Sequence, residues 1–124
     1  MTAAYDVLCA LNAKIKALGY DINGVTTFPR IEVHSIIETE GEQKDDADKV
    51  VTGVIDILTR DNAPDSSFEI LNMIVSNISE NISLSEYICY IWQYESVEMI
   101  EEVTDSDDTI FRQFMRFRAN LIKK

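Results

Sequence analysis

The stretch EYICYIWQYESVEMIEEVTDSDDTIFRQFMRFRANLI, residues 86–122, decides the fold. Its two ends are rich in aromatic and β-branched residues, and the polar TDSDD at 104–108 has the composition of a turn, so the segment reads as one antiparallel hairpin with unusually long arms. Each arm runs past ten residues, roughly 33 Å or more at the usual rise per residue. A short helix over Val97 to Val103 competes, because SVEMIEEV tolerates a helical turn, but the flanking residues favour a strand. In extended geometry Tyr90, Trp92 and Tyr94 share one face, and Cys89, Ile91 and Gln93 the other.

Working outward, VVTGVIDILT before this region is β-branched on both alternating sets, which predicts a central strand. Ahead of it, RIEVHSIIET alternates Ile31, Val33, Ser35 and Ile37 against Arg30, Glu32, His34, Ile36 and Glu38, a strand with one buried face that starts just after Pro29. The acidic EGEQKDDAD at 40–48 joins the two as a solvated, mobile loop. Thr2 is a candidate N-cap for a helix whose stripe is Ala4, Leu8, Leu11, Ile15 and Leu18, with Gly19 as its stop. A second helix follows Pro64, with a capping box at Ser66 and Glu69 and the stripe Phe68, Leu71, Ile74 or Val75, Ile78 and Ile82. The order is α-β-β-α-β-β. It predicts a single α+β domain over 1–124: a four-stranded, mostly antiparallel sheet with two helices on one face and a long C-terminal β-hairpin.

The 11 basic residues against 22 acidic ones give a net charge of -11, a field that repels polyphosphate. Binding to duplex or single-stranded DNA is therefore not expected, nor is membrane insertion, since no apolar run is long enough to cross a bilayer. The N-terminal segment lacks a signal-peptide core, which predicts an intracellular site of synthesis. Cys9 and Cys89 fall in different elements and form no CxxC pair, so free thiols are expected. The only histidine, His34, sits on the exposed face of its strand, and no nucleophile occupies a GxSxG-type motif. The DSDD at 105–108 is no EF-hand: counting from Asp105, Ile110 stands at the glycine position and Arg116 at the final carboxylate. No enzyme, cofactor or metal site is predicted.

The element order, the acidic loop between the first strands and the closing hairpin resemble the tail-completion, or tail-terminator, proteins of long-tailed phages and prophages. FPRIEVHS is similar to that family's proline and first strand, and VVTGVIDILTRD to its second strand leading to a helix. The resemblance implies a non-enzymatic virion assembly protein. It implies a homo-oligomer, commonly a hexameric ring, at the head-proximal end of the tail tube, contacting the tail tube protein and the head-tail connector protein. It also implies residence in the bacterial cytoplasm during assembly and then in the virion tail. The competing class is an acidic monomeric binding or inhibitory protein of the DNA-mimic type, directed at a basic protein, for which the net charge speaks.

Five of the eleven cations crowd into the last thirteen positions. Strand alternation puts Arg112, Arg116 and Arg118 on one face with Phe114 between them, and Phe111, Met115, Phe117 and Leu121 on the other. Cross-strand salt bridges to Glu95, Glu98 or Glu101 would be one use of that stripe. Contact with an acidic surface of a neighbouring subunit is the other, with Trp92 and Tyr94 joining the three arginines as the candidate subunit interface.

Overall fold

In the computed structural model the described residues are all but 23–27, 42–47, 61–63 and 104–108; the side chains of residues 64, 65, 102 and 103 are also outside the description. The elements follow the predicted order: α1 (Ala3–Ala17), β1 (Arg30–Glu40), β2 (Asp48–Arg60), α2 (Pro64–Asn77), β3 (Tyr87–Val103) and β4 (Thr109–Lys123). The 40–48 loop falls largely on 42–47, outside the described residues; its ends are strand, and the Gly41 amide donates to the Asp48 carbonyl at 3.0 Å. The turn at 104–108, with the DSDD cluster, also lies outside them.

The four strands form one sheet in the order β1-β2-β4-β3, every neighbouring pair antiparallel. β2 and β4 are thus central, and β1 and β3 are the edges. Val97 to Val103 continues β3 as strand, paired through Val103 with Thr109, so the competing helix does not form. α1 lies over β1 and β2, and α2 over β2 and β4. Both helices feed one core, where Val7, Leu11, Ile15, Ile70, Ile74 and Ile78 meet Ile31, Val51, Ile55, Met115, Phe117 and Leu121.

Local chemistry explains the ends of α1. The Thr2 hydroxyl accepts from the Tyr5 amide at 3.1 Å. At the other end, Gly19 takes φ 98°, its amide donates to the Lys16 carbonyl and the Tyr20 amide to that of Ile15. That is a Schellman closure, and it needs a residue without a Cβ penalty at the left-handed position. The buried stripe is Ala3, Val7, Leu11 and Ile15, one residue back from the predicted start at Ala4 and Leu8. Asp6 decides the phase. Its carboxylate is buried and accepts the amides of Ser85 and Glu86, each at 2.8 Å, which turns that side of α1 toward the chain entering β3.

α2 departs from the prediction in a similar way. It begins at Pro64, whose fixed φ suits the first helical position, so Ser66 lies inside the helix and not at its cap. Ser67, Ile70, Ile74 and Ile78 point inward, leaving Phe68 and Val75 exposed, and the helix ends at Asn77.

Three bulges account for the remaining differences. At Ser35, φ is 56° and the β1–β2 register shifts, so Ile36 joins the core while Ile37 turns outward, 57% exposed. β3 carries an extra residue at Tyr90 and another at Glu95. The first puts Cys89 and Trp92 on the same, helix-facing side and sends Tyr90 outward, which breaks the predicted grouping of Tyr90 with Trp92 and Tyr94.

Candidate functional site: the helix-free face of the sheet

β4 keeps strict alternation from end to end. Gln113, Met115, Phe117, Ala119 and Leu121 are buried under the helices, and Arg112, Phe114, Arg116 and Arg118 emerge on the face that no helix covers. The predicted basic stripe therefore exists, yet its three arginines have different environments.

Arg112 is held. Its Nε donates to both carboxylate oxygens of Asp56, at 3.2 and 3.0 Å, and its Nη2 donates to Oδ2 at 2.8 Å. The guanidinium also lies 4.8 Å from the centroid of the Phe114 ring. Asp56, on the central strand β2, has no exposed surface, and a carboxylate taken out of water in this way requires a counter-ion. His34 supplies a third contact, Nε2 to Oδ2 at 3.1 Å, while its Nδ1 lies 2.8 Å from Ser35 Oγ.

Ser35, His34 and Asp56 thus form a hydrogen-bonded chain of the residue types found in hydrolytic triads. The arrangement does not suit the chemistry. Serine and histidine are sequence neighbours linked through the wrong ring nitrogen for the usual orientation, and the Asp56 oxygens already serve an arginine fork that neutralises the charge an imidazolium would need. What the cluster does is fix β1, β2 and β4 to one another across the open face.

Arg116 differs. It is exposed, stands opposite Val54 on β2 and Ser96 on β3, and makes no ion pair among the described residues. Arg118 is half-buried, opposite Thr52 and Gln93, with a long 3.4 Å contact from Nε to the Asn120 amide oxygen. The expected cross-strand bridges to Glu95, Glu98 or Glu101 do not form. The bulge at Glu95 moves the β3 register so that no glutamate lies directly opposite an arginine, and Glu98 faces Phe114.

Trp92 and Tyr94 lie on the other side of the sheet. Trp92 stacks on Phe117, centroids 4.8 Å apart and planes 5° from parallel, and meets Tyr94 edge-on at 6.0 Å. The Tyr94 hydroxyl donates to the Ile78 carbonyl at 2.8 Å, just past the end of α2, and burial pushes its phenol up to about 12. These two aromatics stiffen the sheet behind the stripe and are not part of its surface.

Sequence reasoning passed over Asp56. The available signal was a carboxylate within a run read as buried on both faces, which by itself calls for a cationic partner. Among the described residues no cluster of His, Cys, Asp and Glu is arranged to hold a metal ion, and no helix is long and apolar enough to cross a membrane.

No protein-family model matches the chain, and no curated protein matches it. Among solved structures, it is similar to a chain in the virion of the native gene transfer agent particle, with a TM-score of 0.69 at 14% identity, covering 98% of this chain and 95% of that one. At that identity the likeness concerns the fold, which the two chains share along almost their whole length.

Proposed function

We propose that this chain is a structural, non-enzymatic protein of a phage-like virion, of the tail-completion type, and that copies of it close into a ring at the head-proximal end of a tail tube. The observation that carries this reading is the near full-length fold likeness to a chain of a gene transfer agent virion. The element order and long hairpin, which resemble those of tail terminators, support it. So does the charge. A ring through which DNA passes should not grip phosphate, and a net charge of -11 keeps it from doing so.

On this reading the helix-free face meets other virion proteins or a neighbouring subunit. Arg116 and Arg118 are the groups it offers to an acidic surface, Arg112 is anchored beside them by Asp56, and Trp92 and Tyr94 brace the sheet from behind. The acidic-inhibitor alternative gains little support from this arrangement, because Arg112, Arg116 and Arg118 stand among the carboxylates Glu32, Glu95 and Glu98 of the open face, where a DNA mimic would need an unbroken acidic surface.

The test is the mass of the particle in solution, measured by light scattering over a range of concentrations, alone and with a tail tube protein. A discrete ring several times the 14.1 kDa chain, or capping of tube ends seen by electron microscopy, is expected. Tight binding to a basic nuclease or transcription factor, with no self-association even when tube protein is present, would overturn it.

A further inference from the structure

One end of the core is polar. In the buried row Gln113, Met115, Phe117, Ala119 and Leu121 of β4, Gln113 alone carries a polar side chain, and it has no exposed surface. Thr59 lies on the same face of β2. Gln113 stands opposite Ile57 and Phe111 opposite Thr59, so the amide and the hydroxyl are diagonal neighbours. α2 supplies a third group. Its inward stripe runs from Ser67 through Ile70 and Ile74 to Ile78, and Ser67, again with no exposed surface, is its polar member.

The path of α2 brings Ser67 over the other two. The helix starts at Pro64, close behind the end of β2 at Arg60, and its far end is tied to the sheet where the Tyr94 hydroxyl meets the Ile78 carbonyl, with Tyr94 opposite Phe117. Ile78 back to Ser67 spans about 16 Å of helix. Phe117 to Gln113 spans about 13 Å of strand, and Phe117 to Phe111 about 20 Å. Ser67 therefore sits above the space between Gln113 and Thr59.

None of these groups has a hydrogen bond. The Thr59 Oγ1, the Ser67 Oγ, and the Nε2 and Oε1 of Gln113 are all buried without a partner, four of the seven such side-chain atoms among the described residues. The others belong to Asn12, Arg30 and Trp92, in separate elements, whereas these four converge. Folding strips such groups of their bonds to water, and protein interiors replace those bonds. A buried ion is a poor replacement, because it would need a counter-charge and neither the amide nor the hydroxyls carry one. Water fits, since it donates two hydrogen bonds, accepts two, and typically makes about three in sites of this kind.

We infer that an internal water site lies between the first turns of α2 and the β2–β4 pair, where ordered water bridges the Gln113 amide to the Thr59 and Ser67 hydroxyls. α2 thus docks through water at its N-terminal end and through direct apolar contact from Ile70 to Ile78. The inference concerns the protomer and is independent of ring formation.

A high-resolution crystal structure of the wild-type chain should place a water oxygen about 2.7–3.2 Å from the Gln113 amide and from at least one of the two hydroxyls. A direct bond from Gln113 to either hydroxyl, with no water between them, would overturn the inference. Denaturant unfolding gives a second readout. Gln113→Met should lower the folding equilibrium constant by about tenfold, because it leaves the water and two hydroxyls with too few partners. Adding Thr59→Val and Ser67→Ala to that variant should recover most of the loss, since no polar group then remains to be served. An amide buried bare predicts the reverse: Gln113→Met would raise the folding equilibrium constant, and that result would overturn the inference as well. The crystallographic test does not depend on any variant folding.

Discussion

Replacing Arg112 with methionine tests the Asp56 cluster directly. The substitution keeps most of the aliphatic length and its contact with Phe114, but removes the three guanidinium contacts to a carboxylate with no exposed surface. Removing one partner of a buried pair costs about 3–5 kcal/mol, and His34, which keeps its 3.1 Å contact, places this case near 3 kcal/mol. For a chain of 124 residues unfolding in one step, at roughly 2.1 cal/mol/K of unfolding entropy per residue, that lowers Tm by about 12 °C. The reverse deletion is gentler. In Asp56→Val the guanidinium, already 29% exposed, can turn to water, and the new side chain stands between Val54 and Leu58, so the expected cost is about 1 kcal/mol. The double variant should recover to within about 1 kcal/mol of wild type, because neither charge is then left alone. Calorimetry on the four proteins measures this cycle. An Arg112→Met protein melting within about 3 °C of wild type, or a reversed order of the two single variants, would refute the reasoning.

Three further outcomes are expected. Arg116→Glu should change stability by no more than about 0.5 kcal/mol, since no ion pair among the described residues is lost, yet impair assembly; normal assembly in light scattering would remove Arg116 from the subunit interface. Gly53→Ala should destabilise by about 1 kcal/mol or more despite the lower chain entropy of alanine, because the new Cβ would lie 2.6 Å from Ile36 Cδ1 and 2.7 Å from Phe117 Cζ, with that ring held by Trp92; a denaturant midpoint at or above wild type would contradict it. Stability should fall as pH rises above about 9. Burial pushes the Cys89 thiol up from 9.0 to about 11 and the Tyr94 phenol from 10.0 to about 12, so between those values the folded chain holds protons that the unfolded chain has released, and a flat stability profile from pH 8 to 11 would contradict it.

The legibility of the sequence varied with how each element marks its own phase. β4 alternates without interruption, so both its core residues and its arginine stripe could be read in advance. β2 announced its central position through apolar residues on both faces, and Thr2 and Gly19 marked the ends of α1 because capping chemistry is local. Bulges are less visible. Tyr90, Glu95 and Ser35 are ordinary strand residues with no glycine or proline beside them, and only pairing with the next strand reveals the extra residue. The α1 stripe was ambiguous by one position, since Ala3 and Val7 satisfy the same spacing as Ala4 and Leu8, and the choice fell to Asp6 and two amides nearly eighty residues away. The partner of Arg112 was hidden for a related reason: strand arithmetic pointed to β3, whereas the carboxylate lay on β2, whose place beside β4 is a matter of topology.

The two bulges of β3 also bear on how this strand tolerates changes in length. Along it the inward residues are Tyr87 and Cys89, then Trp92 and Tyr94, then Val97 and Met99, so their numbering passes from odd to even and back again. Loss of one residue at position 90 or 95 would straighten the backbone and leave every other side chain on its own side. A single-residue deletion between them, at Gln93 for instance, would have to move a bulge or exchange Trp92 for a polar neighbour against Phe117. Indels in chains sharing this fold should therefore gather at the two bulge positions, and a residue-by-residue alignment that forbids gaps inside strands would misassign the aromatic pair.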